Sequence, residues 1–268
     1  MVNFEFNTKA HSNSWALVLG GSSGLGFASV KKLAQHGLNI CIVHRTRRSK
    51  LEEFNAACDK LRELGVKISC FNKDALQEET LEEVIRFFND RQATLKLLLH
   101  SIAKGNLKPI YSTDKSIATL TGTDFLLTAD AMAVSLYTWV KAFVAEKLFE
   151  KNSRILTFTS EGSTKPLPNY AAVSMAKASL EAIIRSMAYE YAPLHITANC
   201  IQAGVTNTES LKLIPGSDLL LDQALERNPQ KRLTTPEDVA NVVYLLAKPE
   251  ANWINGTVIP VDGGEHLR

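Results

Sequence analysis

Three side chains in the middle of the chain carry groups able to move or share a proton: Ser160, Tyr170 and Lys177. Tyr170 and Lys177 are seven residues apart in Asn169–Tyr191, a stretch whose apolar spacing predicts a helix. Seven residues make nearly two helical turns, about 10 Å of rise, so the two side chains are expected on one face. A phenol titrates near 10 in isolation, and an ammonium close to it lowers that value. Such a phenol can act as an acid, or hold a developing oxyanion, near neutral pH. Ser160 follows the predicted strand Arg154–Thr159, where its hydroxyl would orient a substrate or a water.

A second constellation lies at the start. The apolar run Trp15–Leu19 leads into Gly20-Gly21-Ser22-Ser23-Gly24-Leu25-Gly26 and then into an amphipathic stretch, Leu25–His36. A strand, a glycine-rich turn and a helix N-terminus in this order form a cradle for a pyrophosphate, with free N–H groups and a partial positive charge aimed at it. The second strand, Asn39–Val43, ends in His44-Arg45-Thr46-Arg47-Arg48. A carboxylate there would bind the ribose 2′-hydroxyl of NAD, but none is present. A guanidinium matches a phosphate in charge and geometry, so Arg45, with Thr46 beside it and Arg47 or Arg48 assisting, points to NADPH rather than NADH. Asp74-Ala75, after the third strand, is placed either to meet the adenine or to cap the next helix.

The elements that must position these groups alternate regularly. Strands are expected at Trp15–Leu19, Asn39–Val43, Lys67–Phe71, Leu95–His100, Arg154–Thr159, Thr197–Ile201 and Thr257–Val261. Helices are expected at Leu25–His36, Ser49–Leu64, Glu78–Asp90, Asp124–Phe149, Asn169–Tyr191 and Pro236–Ala247. The order implies an α/β fold: one doubly wound parallel sheet with helices on both faces, in a single domain. Asn207–Arg232 breaks the rhythm, with Pro215, Gly216 and Pro229 among apolar clusters. It reads either as a lid over an apolar ligand or as an insertion packed on the core.

The 268 residues, 45% hydrophobic and 22% charged, suit a globular chain with a sizeable core. A net charge of +2 argues against nucleic acid or an anionic membrane as the main partner. No run reaches the roughly 18 apolar residues of a membrane span, and the first residues have no signal-peptide pattern, so a cytoplasmic location is expected. Of the four cysteines, Cys41, Cys70 and Cys200 lie in apolar runs and read as small hydrophobes, with no disulfide expected. The six histidines show no metal spacing, and His100 reads as a structural residue at a strand end. No Gly-x-Ser-x-Gly elbow is present, which leaves a hydrolase triad without support.

Over nearly its full length the chain resembles the short-chain dehydrogenase/reductase family. The resemblance rests on Gly20-x-x-x-Gly24-x-Gly26, Asp74, His100-Ser101-Ile102-Ala103, Ser160, Lys177, Ala203-Gly204 and Val261-Asp262-Gly263-Gly264. Ordinary members carry Tyr-x-x-x-Lys; here Val173 stands four places before Lys177, and Tyr170 stands seven before it. That pattern resembles the Tyr-x6-Lys signature of the bacterial enoyl-acyl-carrier-protein reductase branch, as does His100-Ser101-Ile102-Ala103. Where many of that branch have a second tyrosine, ten residues before the first, this chain has Ser160, as in the NADPH-dependent type. Met132 takes the place of the family's helical asparagine, which puts a proton relay through that position in doubt.

The resemblance implies reduction of the trans-2 double bond of enoyl thioesters on acyl carrier protein, with Tyr170, Lys177 and Ser160 catalytic. Moving the tyrosine back three residues shifts its anchor by about 4.5 Å along a helix. That is the scale separating a thioester carbonyl from the β-carbon that receives hydride. The resemblance further implies that Ser101, Ala103, Gly204, Val205 and Thr208 line the nicotinamide side. It also implies a homotetramer built by pairing the helices at Asp124–Phe149 and Asn169–Tyr191. Lys212 would meet an acidic carrier protein, and Tyr111 with Lys104–Pro109 would border the substrate. Another short-chain reductase, acting on a ketone or a different conjugated alkene, is the nearest alternative. A non-catalytic NADP-binding sensor is the alternative outside enzymes, though such a sensor has no need of Tyr170, Lys177 and Ser160.

Overall fold

The computed structural model describes Phe6 and residues 13–268. Seven strands form one sheet in the order β3-β2-β1-β4-β5-β6-β7, with every neighbouring pair parallel. They are β1 (Ser14–Leu19), β2 (Asn39–His44), β3 (Ile68–Asn72), β4 (Thr94–His100), β5 (Phe149–Thr159), β6 (Ile196–Ala203) and β7 (Val258–Val261). This is the doubly wound, Rossmann-type architecture that the alternation implies.

Every residue of β1 and β2 is buried, as expected for strands covered on both faces. Alternation divides the core in two. Trp15, Leu17 and Leu19 of β1 face α3 (Glu78–Asp90), α5 (Ser135–Ala145) and α6 (Ala171–Glu190). Ala16 and Val18 face α1 (Gly24–Gln35), α2 (Arg48–Arg62) and α8 (Pro236–Ala247). The N-terminus of α8 carries a complete capping box, Thr235 with Asp238, and Pro236 in its first turn. Arg154 of β5 is buried and fixes the other end of α8: its Nε donates to the Leu246 carbonyl at 2.7 Å and its Nη2 to that of Lys248 at 3.1 Å. No helix among the described residues is long and apolar enough to cross a membrane.

The expected helix Asp124–Phe149 is three pieces. It starts earlier, as α4 (Gly122–Ala129), because Thr121 and Asp124 form a reciprocal capping box. A π-helical turn, Asp130–Val134, interrupts it, and α5 follows. Ser135 Oγ lies 2.8 Å from both the Ala131 carbonyl and His100 Nε2 at this junction. The helix stops at Ala145, Lys147 turns the chain at φ 55°, and Phe149 belongs to β5 instead. Within 207–232 the chain forms a short turn at Leu211–Leu213 and a helix, α7 (Ser217–Arg227), entered through Gly216 at φ 79°.

Candidate active site

The strand order reverses between β1 and β4, so their carboxyl ends diverge and open a crevice. The glycine turn leaves β1 at this point. Gly20 has φ 85°, and a Cβ there would fall 2.6 Å from the Ser101 carbonyl oxygen. Gly24 has φ 52°, and a Cβ there would lie 3.5 Å from Thr208 Cγ2. At Gly20 only glycine combines that backbone with that proximity, while at Gly24 the positive φ alone favours it. The turn thereby gathers Ser101, which follows β4, and Thr208, which follows β6. Ser23 occupies the N-cap of α1 without a side-chain capping bond, and the first N–H groups of a helix have no intrahelical acceptor. Donors with a favourable dipole, on a backbone opened by Gly20, Gly21, Gly24 and Gly26, fit a dinucleotide pyrophosphate.

At the far edge, Thr46 is held by Asn72: its N–H donates to Asn72 Oδ1 at 2.9 Å, and Asn72 Nδ2 donates back to its carbonyl at 3.2 Å. Arg45 Nη1 donates to Asp74 Oδ2 at 2.7 Å, and Lys104 Nζ stands 3.8 Å from the same oxygen. Asp74 Oδ1 accepts the Leu76 N–H at 3.0 Å, an Asx-turn, while the N-cap of α3 is Gln77. The capping reading of Asp74 is therefore replaced by a turn just upstream. The carbonyl of Ala75 accepts the Trp139 indole N–H at 2.8 Å. Asn72 was not legible as a site residue, and Lys104, expected at the substrate border, stands beside Asp74 instead. Parallel pairing of His44 with Asn72 brings the asparagine beside the basic turn, and nothing local in the sequence marks it.

The proton-handling groups meet at the end of β5. Tyr170 Oη lies 3.3 Å from Ser160 Oγ. Its ring rests on Gly162, where a Cβ would fall 2.6 Å from Cε1, and against an apolar patch of Ala131, Met132, Val173 and Ala176. Val173 and Met132, which replace the usual tyrosine and asparagine, both close on Gly105; a Cβ there would lie 2.5 Å from Val173 Cγ2 and 3.1 Å from Met132 Sδ. This wall is apolar, and neither replacement carries a group that could pass a proton.

Tyr170 opens the helix rather than lying within it, its carbonyl accepting the Ser174 N–H at 2.7 Å. Asn169 is left-handed at φ 60°, and Tyr170 is the N-cap of α6 with φ −110° and ψ 0°. Pro166 and Pro168 hold the preceding chain out of the helix. Lys177, 8% exposed, donates to the Phe158 carbonyl at 2.7 Å rather than to the phenol. Burial holds its pKa down, to about 8, with Cys200 and Glu181 opposing. Burial raises the Tyr170 pKa, and the Ser160 hydrogen bond only partly offsets it. Lys177 alone does not lower the phenol in this arrangement, and Tyr170 and Ser160 share a hydrogen bond in which either hydroxyl can donate. His100 is buried and bonded to Ser135, and burial and then the Lys177 charge push its pKa down to about 3. It is a neutral structural residue.

One network had no signature in the sequence. Arg227, at the end of α7, pairs with Glu161 at 3.0 Å and Glu265 at 2.8 Å, and Glu265 accepts the Val205 N–H at 3.2 Å. The partners are 66 and 38 residues away along the chain. Elsewhere, a cavity lined by Asn228, Arg232, Asp262 and His266 has its polar groups already engaged: Arg232 with Asp238, His266 with Asp262, and Asn228 with the Asp262 carbonyl. Among the described residues no group of three acidic, histidine or cysteine side chains is arranged to hold a metal.

A family model described as "Enoyl-(Acyl carrier protein) reductase" matches residues 20–266. The chain belongs to the short-chain dehydrogenase/reductase family. It is 27% identical over 257 residues to the Enterococcus faecalis enoyl-[acyl-carrier-protein] reductase [NADH] FabI, covering 95% of this chain and 98% of that one. It is 30% identical to the Buchnera aphidicola protein of the same name, covering 91% and 90%. It is also similar, at 25% identity and 92% and 91% coverage, to the Mycobacterium tuberculosis 3-oxoacyl-[acyl-carrier-protein] reductase MabA. An enoyl-[acyl-carrier-protein] reductase (NADH) from Aquifex aeolicus has the same fold, with a TM-score of 0.80, 23% identity, and coverage of 95% and 97%. This member of the family is an oxidoreductase that resembles its enoyl-acyl-carrier-protein reductase branch.

Proposed function

We propose that this reductase uses NADPH to saturate the trans-2 double bond of enoyl thioesters carried on acyl carrier protein, as a step of fatty-acid synthesis. One observation carries the reading: the neutral Tyr170 hydroxyl stands at Ser160, while apolar Val173 fills the position nearest Lys177 where a ketone reductase keeps its phenol. Bound NADPH would supply hydride to the β-carbon. Tyr170 would donate a hydrogen bond to the thioester oxygen, where negative charge develops, and a proton from solvent on the α-carbon would complete the saturated product. Ser160 holds that hydroxyl in place. Lys177, anchored on the Phe158 carbonyl, would bind the nicotinamide ribose and supply positive charge there.

The glycine turn, with Ser22, Ser23, Leu25 and Gly26, would hold the pyrophosphate. Ser101, Ala103, Gly204, Val205 and Thr208 would line the nicotinamide end. Arg45 would bind the 2′-phosphate. Its pair with Asp74 does not prevent this: the Arg45 side chain is 58% exposed, and an exposed pair contributes only about 0–1 kcal/mol. The two bacterial FabI relatives are named for NADH, so the direct test is the ratio of kcat/KM for NADPH over NADH.

The segment 207–232 would act as a lid over the acyl chain. Leu213 and Leu219 are 71% and 67% exposed, an apolar surface that a fatty chain would cover. Leu126, Leu127, Val134 and Tyr137 are exposed along α4 to α5, which suits the paired helices of a homotetramer. A monomer by light scattering at micromolar concentration refutes that assembly.

Ser160 beside a tyrosine also suits a ketone. Oxidation of NADPH with crotonyl and dodecenoyl thioesters, against acetoacetyl thioesters, separates the readings. No turnover on any enoyl thioester removes the first.

A further inference from the structure

Two of the four cysteines face each other away from the cofactor crevice. Cys58 on α2 and Cys70 on β3 have their sulfurs 3.8 Å apart. Both belong to the core layer between the sheet and α1, α2 and α8, whereas Cys41 and Cys200 belong to the opposite layer. The sheet therefore separates this pair from the other two thiols. The connection carrying the pair is short and braced. Arg62 Nη2 donates to the Ile68 carbonyl at 2.8 Å, closing the turn from α2 into β3. β3 is an edge strand. Cys58 is buried, and Cys70 is partly exposed.

We propose that Cys58 and Cys70 form a dithiol site that hydroperoxides oxidise to an intramolecular disulfide. Cys70 is the attacking sulfur because it is the one solvent reaches. The Cys58 thiol, the His44 imidazole and the Arg62 guanidinium all favour its thiolate and hold its pKa down, against the cost of burial. In the first step the Cys70 thiolate attacks the outer peroxide oxygen. The O–O bond breaks, an alcohol or water leaves with a proton, and Cys70 becomes a sulfenic acid. In the second step Cys58 gives up its proton and its sulfur attacks Cys70. The S–O bond breaks and the departing hydroxide takes that proton as water. Two thiols lose two electrons and one peroxide gains them. The sulfurs must close from 3.8 Å to about 2.05 Å, which a small shift of α2 towards β3 supplies.

The test uses the full chain in its native state and hydrogen peroxide as the probe, followed by alkylation, trypsin digestion and mass mapping. The expected result is loss of two of the four free thiols. A cross-linked peptide pair, 51–60 with 68–73, should appear two hydrogen atoms lighter than the sum, and dithiothreitol should reverse it. Cys58→Ser should stop at a Cys70 sulfenic acid that dimedone traps, and Cys70→Ser should leave Cys58 unreacted. Four intact thiols after prolonged exposure overturn the proposal. So does sulfinic acid at Cys70 without the cross-link in the wild type, or cross-linking through Cys41 or Cys200. None of these outcomes bears on the enoyl reductase reading.

Discussion

Tyr170→Phe removes one oxygen and leaves the ring on Gly162 and the Met132–Val173 patch. In the folded protein that oxygen makes one neutral hydrogen bond, to Ser160 at 3.3 Å. A neutral hydrogen bond contributes about 0.5–1.5 kcal/mol, and a long one lies at the lower end. For a chain of this size each kcal/mol moves Tm by roughly 2 °C, so the variant should melt within a few degrees of wild type. The same oxygen is asked to donate to a developing oxyanion in the transition state. Removing such a donor typically costs about 2.7–4 kcal/mol, a factor of about 10²–10³ in kcat. NADPH affinity should not change, because the glycine turn, Arg45 and Lys177 are untouched. NADPH oxidation followed by absorbance with crotonyl thioester gives kcat, and quenching of the chain's own fluorescence gives the NADPH Kd. Wild-type kcat in the variant refutes the assignment. A loss of rate accompanied by a hundredfold loss of NADPH affinity also refutes it, since the hydroxyl would then be a cofactor ligand.

Five further outcomes are expected. Lys177 has its pKa depressed by burial to about 8, so kcat/KM for NADPH should fall as pH rises through about 8, and Lys177→Arg should move that limb upward. The unfolded chain keeps this lysine protonated to higher pH than the folded one, so its contribution to stability rises with pH from about 8 towards its ordinary value of about 10.4; a urea midpoint series of wild type against Lys177→Met reads that window. Arg45→Ala should weaken NADPH binding about ten- to a hundredfold, the loss of one charge-assisted contact of about 1.5–3 kcal/mol, and leave NADH nearly unchanged; equal losses for both refute the 2′-phosphate role. Leu213→Ser with Leu219→Ser should raise KM for dodecenoyl thioester about tenfold or more, from about 1.5–3 kcal/mol of burial per leucine, and spare crotonyl thioester; equal effects on both chains refute the lid. Arg154→Ala strands the Leu246 and Lys248 carbonyls and should lower stability by about 3 kcal/mol, read by urea unfolding.

The sheet was legible because its strands are short apolar runs separated by amphipathic stretches of helical length. The glycine turn was legible because its chemistry is local. What the sequence hid depends on partners distant along the chain. The π-turn at Asp130–Val134 sits where Ser135 meets His100, 35 residues away, and no propensity marks it. Phe149 reads as the end of an apolar helix until Lys147 reverses the backbone. Tyr170 was placed on a regular helix by spacing alone. Pro168-Asn169 did signal a break, and the left-handed Asn169 sets the phenol at the helix mouth instead. Tyr170 is still tied to the helix, since its carbonyl accepts the Ser174 N–H at 2.7 Å, so a rise of about 4.5 Å from the Val173 position remains a fair scale.

The two glutamates gripping Arg227 give the segment 207–232 one fixed end. Glu161 adjoins Ser160, and Glu265 also holds the backbone of Val205. The opposite end of α7 begins at Gly216, whose backbone angles a larger residue resists and around which a Cβ would meet nothing within 4 Å. In the proposed lid, movement would be a swing about a pivot at Arg227, widest near Leu213 and Leu219. A long tail would enter at the swinging end, and its head group would arrive last at the fixed end, beside the reacting hydroxyls.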